Sequence, residues 1–417
     1  MTEQINVPKL RFGKYESEWK LNKTSVKILA GNTYKLEEYT NRGYLLIQGL
    51  NIQPGKVVLD ETPKYVAKGD SRHLKIEMGD IILGLNRPIT NNKLKVCRFK
   101  LNKESVLYQR AGKLNFDRKK LDTEFLFQYL RSSVFMKQIG LELIGSDQPY
   151  IRSNLFQTTK NKFPSLPEQQ KIASFLSKVD EKIALLTEKK DKLTEYKKGV
   201  MQQLFNGRWE GQQGQLTFIP PTLRFKADDG SEFPDWEEKR LGSFLQESRI
   251  KGDSGNKAKK LTVKLWGNGV YEKNESRDGS ANTQYYVRKS GQLIYSKLDF
   301  LNCAFGIVPE YLCGYQSTLD LPCLDIDTKL AHPYFLLERI KQKSFYKKFG
   351  DTADGSRKAK RIHVEVFTGF LMCLPSLDEQ TKIANFLSAI DQKIDLANSE
   401  LEKAKQWKKG LLQQMFV

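Results

Sequence analysis

Two stretches of the chain carry apolar residues in alternating steps of four and three. The first runs Ile172, Leu176, Val179, Ile183, Leu186, Lys190, Leu193, Lys197, Val200, Leu204. The second runs Ile383, Leu387, Ile390, Ile394, Ala397, Leu401, Ala404, Lys408, Leu411, Met415. That spacing keeps one stripe turned toward a partner helix and predicts a heptad seam of about five heptads, interrupted by Lys190, Lys197 and Lys408. A helix of about 39 residues is roughly 58 Å long at 1.5 Å per residue. Each stretch opens on Ser-x-x-Glu, at Ser165–Glu168 and Ser376–Glu379, the spacing of a capping box, with Pro167 tolerated in the first turn. Neither helix can bury its seam alone, and each is the other's nearest partner, so an antiparallel coiled coil is expected.

The two stretches are copies. FPSLPEQQKIASFLSKVDEKIALL…KKGVMQQLF returns 211 positions later as LPSLDEQTKIANFLSAIDQKIDLA…KKGLLQQMF, with about half of the aligned positions identical. The repeat extends upstream at lower similarity. Pro8-Lys-Leu-Arg-Phe12 reappears as Pro221-Thr-Leu-Arg-Phe225, Glu18-Trp19 as Asp235-Trp236, and Gly79-Asp-Ile-Ile82 as Gly291-Gln-Leu-Ile294. A helical segment Thr123–Ile139 aligns with Pro333–Phe349, and Gly145-Ser146 with Gly355-Ser356. A period of this length is a duplicated module, since solenoid units are about 20–50 residues long. Short β-rich runs such as YLLIQGL and DIILGL mix with amphipathic helices, so each globular part is α+β. The expected order is a first globular domain (1–167), a long helix (168–206), a linker with a second globular domain (207–378), and a second long helix (379–417), with pseudo-two-fold symmetry. Asn206–Pro221, rich in Gly, Gln and Pro, reads as the linker.

Charge changes the picture. The net charge is +20, and residues 1–167 alone hold 29 basic against 16 acidic side chains. Such an excess implies a polyanionic partner, with nucleic acid foremost. The chain has no run of 18 apolar residues and MTEQINVPKL has no apolar signal core, so neither a membrane span nor secretion is expected and a cytoplasmic location follows. The five cysteines form no C-x-x-C pair and the three histidines do not cluster near them, which predicts buried free thiols and no metal.

Catalytic signatures are missing. No G-x-x-x-x-G-K-[ST] phosphate loop occurs, nor an N-P-P-[YF] or D-P-P-[YF] tetrad, nor an F-x-G-x-G cofactor loop. Pro234-Asp235 with Glu237-Glu238-Lys239 has a nuclease-like spelling, but its carboxylates are too close in sequence to come from adjacent strands, and it reads as a surface loop.

The chain resembles the DNA-specificity subunit of type I restriction–modification systems. The resemblance is carried by Leu166-Pro167-Glu168-Gln169 with Ile172, by Leu377-Asp378-Glu379-Gln380 with Ile383, and by the closing Lys198-Gly199-Val-Met-Gln-Gln203 and Lys409-Gly410-Leu-Leu-Gln-Gln414. Asp378 departs from the usual Pro. The resemblance runs end to end and implies two target-recognition domains alternating with two helices in a non-catalytic DNA-binding subunit. It further implies a bipartite double-stranded DNA target and two modification (methyltransferase) subunits that methylate adenine N6. Restriction subunits that translocate and cut complete the set. S-adenosylmethionine, ATP and Mg are then expected on those partners and no cofactor on this chain. The competing reading is a coiled-coil scaffold or regulatory DNA-binding protein without such partners.

Bases are read by Arg, Lys, Asn and Gln side chains, whereas phosphates need only charge. Loop residues of those types, with their neighbouring His73 and Tyr150, are the DNA-contact candidates. They are Arg72, His73, Asn86, Arg87, Gln148, Tyr150 and Arg152 in the first domain. In the second they are Lys257, Lys259, Lys260, Arg277, Lys297, Arg357, Lys358, Lys360 and Arg361. Identities between the helices that lie off the seam suggest a surface presented twice to two copies of one partner. They are Gln169/Gln380, Phe175/Phe386, Asp180/Asp391, Lys182/Lys393, Gln202/Gln413 and Phe205/Phe416. Contacts with the adjacent globular domain explain them equally well.

Overall fold

The computed structural model describes residues 7–21, 25–145, 147–212, 215–274, 279–350 and 361–417. Eight α-helices occur among them: α1 (Thr123–Leu130), α2 (Ser133–Glu142), α3 (Leu155–Thr158), α4 (Leu166–Leu204), α5 (Pro333–Ile340), α6 (Lys343–Gly350), α7 (Val364–Gly369) and α8 (Leu377–Gln414). The two long helices begin and end within three residues of the bounds expected from the seam. The chain divides into two compact units, Met1–Lys189 with Ala397–Val417, and Lys190–Leu396.

In the first unit a four-stranded antiparallel sheet runs Val96–Arg98, Ile81–Gly84, Ala111–Asn115, Lys27–Ala30. A five-stranded sheet places Tyr44–Ile47 parallel to Ser105–Leu107. Ile81–Gly84 and Tyr44–Ile47 are buried at every position, as strands covered on both faces must be. Asp122 caps α1 by accepting from the Phe125 N–H, and Ser132 caps α2 in the same way from Phe135. The second unit repeats the plan. Its four-stranded sheet runs Leu245–Ser248, Cys323–Ile326, Leu293–Tyr295, Phe305–Ile307.

Helix pairing can be read inside each unit. In the first, Ile172, Leu176, Val179 and Ile183 from the start of α4 pack with Leu411, Met415 and Phe416 at the end of α8. In the second, Val200 and Leu204 from the end of α4 pack with Ile383, Leu387 and Ile390 from the start of α8. The pairing within each unit is antiparallel. Each unit thus contains a globular domain, the start of the helix that follows it, and the end of the other helix.

Two expectations need correction. The linker is not a loop: Arg208–Gln212 and Gln215–Ile219 form an antiparallel hairpin. Trp209 and Phe218 face each other on it at 5.5 Å, and Phe218 stacks on Trp236 at 6.1 Å, so an aromatic ladder ties the hairpin to the second core. The Pro234–Lys239 segment is not a loop throughout either, because Glu237–Arg240 is a strand paired with Leu371–Leu374.

Candidate nucleic-acid interface

The same set of contacts fixes each globular domain to its helix. Arg11 donates to both Glu168 oxygens at 2.7 and 2.8 Å, and Arg224 to both Glu379 oxygens at 3.1 and 2.7 Å. Glu168 and Glu379 are 2% and 0% exposed. The glutamates of the Ser-x-x-Glu boxes therefore anchor an arginine from the upstream Pro-x-Leu-Arg-Phe repeat. Donating to the buried Glu168 carboxylate raises the Arg11 pKa, and donating to Glu379 does the same for Arg224. One residue on, the Gln169 carbonyl oxygen accepts from the Asp122 N–H at 2.9 Å, and that of Gln380 from the His332 N–H at 2.9 Å. Phe12 meets Phe175 at 5.7 Å, and Phe225 meets Phe386 at 5.5 Å.

Two of the three seam lysines, Lys197 and Lys408, have partners at equivalent places. Lys408 of α8 donates to Asp180 of α4, whose carboxylate also takes Gln128 at 2.9 Å and Arg131 at 3.2 Å. Lys197 of α4 donates to Asp391 of α8 at 2.7 Å and lies 3.3 Å from Glu338. Burial and the neighbouring Arg131 push the Lys408 pKa down to about 8. The terminal phenylalanines are exchanged: Phe416 packs on Trp19 and Phe125 at 6.2 and 5.6 Å, while Phe205 packs on Phe335 at 5.7 Å.

Eight of the twelve off-seam identities are thereby accounted for inside the units. Gln169, Gln380, Phe205 and Phe416 are buried, and Phe175, Phe386, Asp180 and Asp391 are held by domain or seam partners. That corrects the partner-surface reading for these eight. Lys182, Lys393, Gln202 and Gln413 are exposed. Sequence reasoning overlooked two further pairs with the same 211-residue offset. Leu185 and Leu396 are 59% and 58% exposed, and Tyr196 and Trp407 are 54% and 49% exposed. The signal available was an identical leucine off the seam.

Two of the first domain's candidate loops meet. The Arg87 N–H donates to the Pro149 carbonyl at 2.7 Å, the Ile151 N–H to Leu85 at 2.9 Å, and Asn86 bridges Tyr150. Arg87, Gln148, Tyr150 and Arg152 are exposed around this crossing and Asn86 is half-buried. Beside it, Ile89–Thr90 and Lys93–Leu94 form a hairpin turned by Asn91 and Asn92 at φ 50° and 57°. Asparagine tolerates that left-handed pair, as a type I′ turn demands. These exposed asparagines were missed, although Asn-Asn between β-prone residues is a hairpin signal. Arg72 and His73 belong to other contacts. Arg72 is paired with Glu38 and Asp70, and both His73 ring nitrogens are engaged, by the Tyr34 hydroxyl at 2.9 Å and the Ala67 carbonyl at 2.7 Å. His73 is thus a bracing residue, not a free reader.

In the second domain the Ile362 N–H donates to the Lys297 carbonyl at 3.1 Å, the counterpart of the Ile151–Leu85 bond. It sets half-buried Lys297 beside exposed Arg361. Lys257 and Lys259 are exposed. Lys260 turns inward, 8% exposed and 5.6 Å from the Tyr285 ring, which corrects its assignment as a contact. Arg277, Arg357, Lys358 and Lys360 lie outside the described residues.

Among the described residues no group of three His, Cys, Asp or Glu side chains is placed to hold a metal, and no helix is long and apolar enough to cross a membrane. Cys97, Cys303, Cys323 and Cys373 are buried free thiols, with burial pushing Cys97 and Cys323 up to about 12. Cys313 is exposed, against expectation.

Residues 22–195 match the family model for the type I restriction modification DNA specificity domain. The type I restriction enzyme MjaVIII specificity subunit of Methanocaldococcus jannaschii is 32% identical over 212 residues, covering 49% of this chain and 50% of that protein. This chain therefore aligns with about half the length of that relative. The putative MjaX specificity subunit of the same organism is 22% identical over 429 residues, covering 98% of this chain and 95% of its own. Among solved structures, the type I restriction–modification S subunit from M. genitalium aligns with a TM-score of 0.58 at 15% identity, covering 99% of both chains. A chain from a type I R-M complex-assembly study aligns with a TM-score of 0.50 at 15% identity, covering 95% of this chain and 99% of its own. These likenesses show the fold.

Proposed function

We propose that this chain is a type I restriction–modification DNA specificity subunit, as its similarity to that family suggests, and that it reads a bipartite duplex target and directs the chemistry of partner subunits without catalysing any itself. The observation that carries the reading is the contrast inside the repeat. Arg–Glu, Gln–backbone, Asp–Lys and Phe–Phe contacts recur in both units, while the loops around the Ile151–Leu85 and Ile362–Lys297 bonds differ in side chains. A shared frame with unlike reading loops suits two unlike half-sites. In the first half-site the contacts fall to Arg87, Gln148, Tyr150 and Arg152, with Asn91 and Asn92. In the second they fall to Lys257, Lys259, Lys297 and Arg361.

The partners are two modification subunits and the restriction subunits, which hold S-adenosylmethionine, ATP and Mg. Their docking residues include Lys182 and Leu185 on α4 in the first unit, and the equivalent Lys393 and Leu396 on α8 in the second, a doubled surface for a doubled partner. Co-expression with its cognate modification subunits, followed by single-molecule sequencing for N6-methyladenine, tests the proposal. Methylation confined to one two-part motif with an unread spacer is expected. Arg152→Ala is expected to relax one half of that motif and leave the other intact. Methylation at an uninterrupted motif, or none, overturns the proposal and leaves a scaffold or regulatory DNA-binding role.

A further inference from the structure

The second domain carries an indole where its own stability argues for a different residue. Leu261–Val263 and Val270–Glu272 form a hairpin with Val263 opposite Val270, closed by the Lys264 N–H donating to the Gly269 carbonyl at 2.9 Å. Its tip is not loose. The Trp266 N–H donates to the Asn302 carbonyl at 2.8 Å and the Gly267 N–H to the Cys303 carbonyl at 2.7 Å. So braced, Trp266 sits at φ 62°, a left-handed conformation that bulky residues rarely adopt, and its side chain is 63% exposed. Strain of this kind, held by surrounding bonds, clusters where a protein binds something. Water is a poor environment for an indole, and glycine or asparagine would occupy this position without strain.

The surroundings say what covers the ring. Residues 251–274 hold six lysines against two carboxylates, Asp253 and Glu272. Lys251, Lys257, Lys259, Lys264 and Lys273 are exposed, and Lys264 lies 4.0 Å above the Tyr271 ring. Exposed Leu265 and Tyr271 flank the indole. Aromatic surface interleaved with lysine is complementary to a polyanion that also offers π-faces, which describes nucleic acid better than a protein. We propose that Trp266 is the wedge of the second domain, inserting its indole at a base step of the duplex while the lysines of this hairpin hold the flanking phosphates. Inserted apolar side chains unstack and kink duplexes in this way. The inference rests on the DNA-reading proposal above. The distortion is expected in the half-site that the second domain reads.

The test uses the full chain with its modification subunits and the motif found by methylation mapping, in duplexes carrying 2-aminopurine at one position at a time. Apart from the target adenines that the modification subunits extrude for methylation, the wild type is expected to raise fluorescence at one further step, confined to one half-site. W266G relieves the backbone strain, so it is expected to melt at or above the wild-type temperature. It is also expected to lose the signal at that further step, keep the signal at the target adenines, and bind the motif roughly 10- to 100-fold more weakly. W266F is expected to restore part of both, and K264A to weaken binding to all sequences with a shallower salt dependence. W266G that opens and binds the motif like the wild type overturns the wedge. So does W266G that binds normally but no longer co-purifies with the modification subunits, which assigns the indole to a protein contact. A wild-type complex that methylates no defined motif removes the underlying DNA-reading proposal instead, a result distinct from either.

Discussion

At the scale of single residues, the pair that joins each globular domain to its helix is a buried ion pair between distant parts of the chain. Arg224 is 15% exposed and Glu379 not at all, and Arg224 also donates to the Pro234 carbonyl at 2.6 Å. Removing one partner leaves a charge in a site with no water to solvate it. Arg224→Ala is therefore expected to destabilise the second unit by about 3–5 kcal/mol, read as a lower melting temperature with hydrogen exchange rising in that unit first. The double replacement R224L/E379L is expected to recover most of the loss, since no unpaired charge remains. The sequence pointed to the glutamates as capping residues and to Pro-x-Leu-Arg-Phe only as a marker of the repeat. Their pairing joins positions 155 residues apart, and no local pattern encodes it.

At the scale of elements, the seam was legible and its interruptions were not. Lys197 and Lys408 break the heptad, while Asp180 and Asp391 looked like spare identities off it; each oddity answers the other across the helix pair. Short strands were harder to recognise, since many run only two to four residues, too few for alternation to show. The linker hairpin was masked by its Gly and Gln content, although Trp209 and Phe218 carry the packing that forms it. Lys408 also gives α8 a signature in pH. Between about 8 and 10.5 the unfolded chain keeps a proton that folding releases. Stability from this group accordingly rises as the pH climbs through that window, and its penalty is complete below about 8. Lys408→Met leaves Asp180 with Arg131 and Gln128. It is expected to melt at or above the wild-type temperature at pH 8 and to lose the rise between pH 8 and 10 in a melting series.

At the scale of the whole molecule, the proposed function makes helix length a variable of recognition. Seven residues inserted after Thr187 in α4, matched by seven after Glu400 in α8, preserve the heptad register and the Asp–Lys pairs. They add about 10 Å of rod, the rise of about three base pairs at 3.4 Å each. Methylation mapping of this variant is expected to return both half-motifs unchanged with a longer gap between them. An unaltered gap would show that something other than the helices sets the spacing. The organisation that supports this test was visible in the repeat itself. What the repeat left open was which loops read, because the domains diverge where their loops do.

The exchange of helix ends also bears on how the polypeptide matures. Ala397–Val417 belongs to the first unit, yet the ribosome makes it only after the 207 residues of the second. Until then Trp19 and Phe125 lack the ring of Phe416 that closes over them. The first globular domain is thus made before the second yet completed after it, and a stop codon ahead of Ala397 damages the first unit as well as the second helix.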